Sequence, residues 1–260
     1  MEANVSGAIL RGFARKFSRA LRLDVAIVGA GPSGLVAAFR IARAGVRVAV
    51  FERKLAPGGG IWGGAMLNNE IVFQQELKPL LDEFGIRWTR AGGGLLAADS
   101  VETAAALIYN AVHAGAMIFN GITVEDVVYK KGRVAGVVIN WTPVLLQGMH
   151  VDPMAVESKA VLDGTGHGAT LTERVAAKAG IRLDTPTGGI VGEKPMWVEE
   201  GERATVDNTR EVYPGLFVSG MAANAVYGSA RMGPIFGGML KSGEKASALI
   251  LAALRREKRG

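Results

Sequence analysis

Val25-Ala26-Ile27-Val28-Gly29-Ala30-Gly31-Pro32-Ser33-Gly34 is a short apolar run that empties into three closely spaced glycines. The apolar residues predict a buried strand, and the alanine- and leucine-rich stretch that follows to Ala44 predicts a helix. Gly45 ends that helix, and residues 46–51 predict a second strand. Strand, glycines, helix and strand in this order make a βαβ unit. Its glycines permit a tight turn and let phosphate oxygens approach backbone N–H groups at a helix N-terminus, where the dipole favours negative charge. Glu52 ends the second strand eighteen residues after Gly34, where an acid accepts both hydroxyls of a ribose. A lone GxGxxG is weak evidence of a dinucleotide site, but here every element of its context is present.

Working outward, Pro57-Gly58-Gly59-Gly60-Ile61-Trp62-Gly63-Gly64 is a flexible loop suited to contact with a ligand. Residues 74–84 and 101–114 predict helices, and 116–120 a strand. Residues 123–129 and 133–141, joined by a turn at Lys131-Gly132, predict an antiparallel hairpin or meander. A strand over 160–163 runs into Gly164-Thr165-Gly166-His167, and a last strand over 216–219 meets Gly220-Met221. A final helix from about 237 to 256 packs back on the sheet. The expected fold is α/β: a Rossmann-type (FAD/NAD-binding, glutathione-reductase-like) parallel sheet with an inserted antiparallel β layer. The expected division is an amphipathic helix over 1–23 and one dinucleotide-binding domain over 24–260, with a β-rich insert at about 116–145.

The composition narrows the function. With 260 residues, 49% of them hydrophobic, the chain can bury a large core. The net charge of +6 sits in its ends: residues 1–23 and 251–260 hold nine Lys/Arg against two Asp/Glu, leaving 21 basic and 22 acidic residues between them. A nearly neutral body lacks the continuous positive stripe of a nucleic-acid binder, so no nucleic-acid partner is expected. Cysteine is absent, which excludes a disulfide, a thiolate nucleophile and a Cys-ligated metal or cluster. The uncharged stretches 134–151 and 212–230 are broken by Pro and Gly, and no membrane span is expected. Leu10, Phe13, Phe17 and Leu21 mark one side of an N-terminal helix, while Arg11, Arg15, Lys16, Arg19 and Arg22 interrupt any signal-peptide core. A cytoplasmic address follows, with this helix packed on the body or on a neighbouring subunit.

Gly148-Met149-His150-Val151-Asp152-Pro153 concentrates candidate chemistry. In an extended segment His150 and Asp152 project to the same side, so imidazole and carboxylate face one site. Asp152 equally suits an N-cap, with Pro153 opening a helix over 154–159. His167 follows the glycine-rich end of a parallel strand, the edge at which open α/β sheets bind ligands. One carboxylate with histidine nitrogens and open positions suits a divalent transition ion such as Fe(II), with Zn, Mn or Co equally compatible by ligand type. His113 lies on a predicted helix and reads as structural or solvent-facing. Arg231, after the last strand, suits either bidentate capture of a small carboxylate or a surface ion pair.

Together these residues resemble the thiamine thiazole synthase family, specifically its archaeal sulfide-dependent branch. The resemblance runs from Asp24 to about Gly243, through Gly29–Gly34 with Glu52-Arg53, the 57–64 loop, Asn140-Trp141-Thr142-Pro143, His150-Val151-Asp152-Pro153, residues 163–167 and residues 220–234. It implies that Ser33, Glu52, Arg53, Gly60, Val124 and Met221 line NAD or its adenylated product, with His150, Val151 and Asp152 beside the reactive ribose. It implies Asp152 and His167 as Fe(II) ligands, drawn from one protomer or two, a catalytic role for both and for His150, and Arg231 on the glycine carboxylate. It also implies a homo-octamer. The implied reaction takes NAD as substrate: nicotinamide leaves, the ADP-ribose opens and isomerises toward a ketone, glycine condenses through its amine, sulfide adds, and loss of water closes an adenylated thiazole carboxylate. The eukaryotic branch sacrifices a cysteine sulfur at the position of His150. A chain without cysteine therefore implies free sulfide and repeated turnover.

Two other readings compete. A flavin-dependent oxidoreductase shares the βαβ opening and the ribose-binding acid, but its late strand commonly leads into a Gly-Asp pair where this chain has Gly220-Met221. A non-catalytic protein that binds NAD derivatives would keep the nucleotide site without metal-dependent turnover.

Overall fold

The computed structural model describes residues 1–178 and 180–257; residue 179 and the last three residues of the expected dinucleotide-binding domain lie outside them. In chain order the first elements are α1 (Glu2–Ala20), β1 (Arg22–Val28), α2 (Pro32–Arg43), β2 (Val48–Glu52), β3 (Glu70–Gln74), α3 (Lys78–Phe84), β4 (Thr89–Gly92), β5 (Leu95–Asp99) and α4 (Ser100–His113). There follow β6 (Met117–Asn120), β7 (Ile122–Lys130), β8 (Arg133–Trp141), α5 (Thr142–Leu146), β9 (Met154–Asp163) and α6 (Thr170–Ala176). The remainder comprises β10 (Lys194–Met196), α7 (Val198–Asp207), β11 (Arg210–Tyr213), β12 (Leu216–Val218), α8 (Met221–Tyr227), β13 (Ala230–Arg231) and α9 (Gly237–Glu257).

The main sheet has eight strands in the order β11-β12-β9-β1-β2-β6, with β8 paired to β9 and β7 to β8. Strands β12, β9, β1, β2 and β6 run parallel, while β7, β8 and β11 are antiparallel additions. Alternation within β1 decides what covers each face: Val25 and Ile27 enter the core under α2, α4 and α9, whereas Ala26 and Val28 join Phe51, Phe119 and Val137 on the other side. The Rossmann-type α/β class expected from the sequence is the class observed.

The first βαβ unit is locked by backbone proximity. A Cβ on Gly34 would lie 2.3 Å from the Gly29 carbonyl oxygen, and Gly29 itself holds φ +95. Only glycine at both positions lets α2 start directly behind β1.

Three sequence expectations change. The helix expected over 74–84 is shortened to α3, because Ile71 and Phe73 alternate with more exposed neighbours in strand β3 and Pro79 opens the helix proper. A three-stranded antiparallel sheet, β3-β5-β4, therefore stands where no strand was expected. The helix over 154–159 does not form, so Asp152 caps nothing. Val156, Ser158 and Ala160 are buried while Ala155, Glu157 and Lys159 are exposed, a period of two that places the whole stretch in β9 between β1 and β8.

The N-terminal helix buries Phe17 and Ala20, with Phe17 edge-on to Phe119 at 5.5 Å. Its outer apolar residues Val5, Ile9 and Leu10 stay exposed on this chain. Among the described residues no helix is long and apolar enough to cross a membrane.

Candidate functional site

The carboxyl ends of β1, β2, β9 and β12 open into a cavity of about 740 Å³. That is the edge at which open parallel sheets take ligands, and the size suits a nucleotide-sized molecule. One wall is the Gly29–Ser33 turn at the start of α2, and against it the 57–64 loop contributes Gly59 and Gly60. A Cβ on Gly59 would sit 3.0 Å from the Gly31 Cα, so the two glycine-rich segments approach each other backbone to backbone.

Glu52 is buried at the cavity wall. Its Oε2 accepts from Ala30 N and its Oε1 from Lys54 N, both at 2.8 Å. Each carboxylate oxygen keeps a further lone pair, the arrangement needed to receive two vicinal hydroxyls without moving. Arg53, Lys54 and Arg174 also line the cavity, and Arg174 is held by donation to the Glu125 carbonyl at 2.8 Å. These cations and the α2 N-terminus favour an anionic ligand.

Asp163, at the end of β9, is fully buried and has both oxygens occupied: Oδ1 accepts from Thr165 N and Oγ1, Oδ2 from Thr172 N and Oγ1. It shapes the Gly164–Gly168 turn and carries α6 against it, which sets His167 at the cavity. His167 Nδ1 lies 2.8 and 2.9 Å from the two oxygens of Glu193. Beside the Gly29–Ser33 turn, Gly220 leads into α8; its φ of +62 and the 2.7 Å between an added Cβ and Ser33 Oγ mark the close approach, and Met221, the next residue, lines the cavity. Arg231 reaches the same cavity from β13, which pairs with β10. It makes no salt bridge within the chain among the described residues.

Ser33, Glu52, Arg53, Gly60, Val124, His167, Met221 and Arg231 thus share one cavity. His150, Val151 and Asp152 do not: they lie exposed on the link between α5 and β9, and none lines the cavity of its own chain. Asn140 Nδ2 donates to the Val151 carbonyl at 3.0 Å and ties the link to β8. Among the described residues no three His, Asp or Glu side chains cluster as a ready metal site. Sequence reasoning missed Lys54, Arg174 and Glu193. Lys54 follows the Glu52-Arg53 pair directly, whereas no local pattern marks Arg174 or Glu193.

The fold and this cavity define a protein of the Rossmann-type α/β class with a ligand-sized cavity at the carboxyl edge of its parallel sheet. The chain belongs to the Thi4 family, whose model matches residues 6–236. It is 53% identical over 253 residues to the thiamine thiazole synthase of Thermococcus kodakarensis, covering 97% of this chain and 98% of that one. It is 49% identical over 254 residues to that of Methanothermobacter thermautotrophicus, covering 98% of each. The crystal structure of Thermovibrio ammonificans THI4 superposes with a TM-score of 0.94 at 50% identity, again covering 98% of each chain.

Proposed function

We propose that this chain is a cytoplasmic thiamine thiazole synthase that converts NAD, glycine and sulfide into an ADP-linked thiazole carboxylate, releasing nicotinamide, with Fe(II) in its site. The observation that carries the reading is one cavity lined by the glycine-rich turn, Glu52, His167 and Arg231, in a cysteine-free chain of this family.

The residues divide the work. Glu52 receives the adenosine ribose hydroxyls, while the amides at the start of α2 meet the diphosphate and Arg53 and Lys54 offset its charge. Ser33, Gly60, Val124 and Met221 complete the nucleotide wall. Arg231 holds the glycine carboxylate bidentately and leaves the amine free to condense with the opened ribose. His150 orients substrate or moves protons, beside Val151 and Asp152.

His167 and Asp152 would hold the metal. The fit rests on donor chemistry: an imidazole at the cavity, backed at Nδ1 by a carboxylate, is the usual setting of a metal-ligating histidine. When bound, such an ion supplies Lewis acidity and an open position for sulfide. Asp152 lies outside its own chain's cavity, which supports a site completed by a neighbouring copy of the chain. Exposed Leu145, Leu146, Met149 and Val151 flank it with the apolar surface that a subunit contact needs, consistent with an octamer.

The test is anaerobic incubation of purified protein with NAD, glycine, Fe(II) and sulfide, followed by mass analysis. The expected result is nicotinamide together with an adenylated thiazole carboxylate, with the thiazole lost in His167→Ala. Nucleotide binding with neither product would leave a binding protein, and the synthase reading would fail.

A further inference from the structure

His167 is placed by a carboxylate that lies 26 residues away in sequence, and the contact constrains the ring chemically. A carboxylate without a proton can only accept, and a hydrogen bond to it from Nδ1 requires the hydrogen to sit on the ring. A neutral imidazole protonated at Nδ1 carries its lone pair on Nε2, and Nε2 has no protein partner among the described residues. The ring is half-exposed at the cavity, whereas the Glu193 side chain is only 17% exposed behind it.

Glu193 is itself braced on both sides. Gly192 N donates to the Ala225 carbonyl of α8 at 2.8 Å, and Lys194 N donates to the Ser229 carbonyl at 3.0 Å. Gly228, φ +70, packs so closely here that a Cβ would lie 2.4 Å from Val191 Cγ1. The next residues form β10, whose partner β13 carries Arg231. One short segment therefore fixes both the carboxylate behind His167 and the strand that presents Arg231.

We propose that Glu193 is a positioning residue that holds His167 in the Nδ1–H form and offers Nε2 to the divalent ion, without binding that ion itself. This rests on the metal reading above and adds a residue to it. The lone-pair directions of Nδ1 and Nε2 diverge across the ring, so a group engaged at Nδ1 faces away from an ion at Nε2. Both Glu193 oxygens are engaged at Nδ1.

The test uses the full chain and Co(II) as a spectroscopic probe, titrated into wild type, Glu193→Ala, Glu193→Gln and His167→Ala. Removing a partner of a metal-bound histidine typically costs about 10–100-fold in metal affinity, and that loss is expected for Glu193→Ala. Its visible spectrum at saturation should match wild type, because the ligand set is unchanged. Glu193→Gln, whose amide oxygen still accepts from Nδ1–H, should fall between the two, and its similar size preserves the comparison if the alanine variant folds poorly. In the metal-free protein, long-range proton–nitrogen NMR should show His167 protonated at Nδ1 in wild type and shifted toward Nε2 in Glu193→Ala; a chain with three histidines makes the assignment tractable. Wild-type Co(II) affinity in Glu193→Ala, or an unchanged tautomer, overturns the proposal. So does a saturated spectrum altered in both Glu193 variants, the mark of a lost direct ligand. If His167→Ala binds Co(II) as tightly as wild type, the metal reading itself is at fault, a separate failure from that of Glu193.

Discussion

Replacing Glu52 by glutamine isolates what the buried carboxylate at the end of β2 does. The carboxylate accepts from Ala30 N through one oxygen and Lys54 N through the other, each at 2.8 Å. An amide keeps one acceptor and turns an NH2 toward the second backbone N–H, so one contact becomes a donor facing a donor. Leaving such a group unpaired costs about 1–3 kcal/mol, which should appear as a lower melting temperature. The nucleotide loses as well, because one ribose hydroxyl no longer meets a charged acceptor. Hydrogen bonds to charged groups contribute about 1.5–3 kcal/mol, equivalent to about 10–150-fold in Kd. Calorimetric titration with NAD and with ADP-ribose should show the same loss for both, since both carry the adenosine ribose. The 2′-phosphorylated dinucleotide, repelled by the wild-type carboxylate, should lose less. An NAD affinity within threefold of wild type would refute the placement of the ribose at Glu52.

Other perturbations probe separate features. Gly34→Ala puts a Cβ 2.3 Å from the Gly29 carbonyl oxygen, so the turn must shift; both the melting temperature and NAD affinity should drop, and an unchanged affinity would remove the turn from the site. Burial raises the pKa of Glu202, whose Oε2 accepts from Gln74 Nε2 and Gly238 N while its Oε1 has no partner. The folded state then keeps a proton that the unfolded chain has lost. Stability should be full below the ordinary carboxylate range and decline as pH rises through the raised value. Melting curves against pH should therefore show Glu202→Gln gaining on wild type across that window, and parallel curves would contradict the assignment. Asp152→Ala and His167→Ala should each be inactive alone. Co-assembled in equal amounts they should recover about one quarter of wild-type activity if each site takes one residue from each of two subunits; no recovery would place both ligands in one chain.

The legible parts of the sequence were those whose physics is local. The β1–α2–β2 unit announces itself through Gly29, Gly31 and Gly34 because turn, helix start and close packing all fall within ten residues. Gly59, Gly60 and Gly164 each mark a place where backbone, not side chain, borders the cavity. Strand β9 was half hidden because Asp152-Pro153 imitates a helix start, and only pairing with β1 and β8 reveals the alternation as a strand. The β3-β5-β4 sheet was missed because its short strands bury only two side chains apiece at β3 and β5, too few for a period to stand out. Glu193 was illegible for a different reason: its partner is fixed by the folding of α8 and β13 around it, which no spacing in the chain encodes.

A chain with no cysteine has no sulfur to sacrifice in the manner of a single-turnover enzyme, so the source and count of product sulfur bear directly on the proposed synthesis. Isotopically labelled sulfide, supplied anaerobically with NAD, glycine and Fe(II), should appear in the thiazole, with several product molecules formed per chain. Unlabelled product, or a yield that stops at one per chain or below, would contradict it.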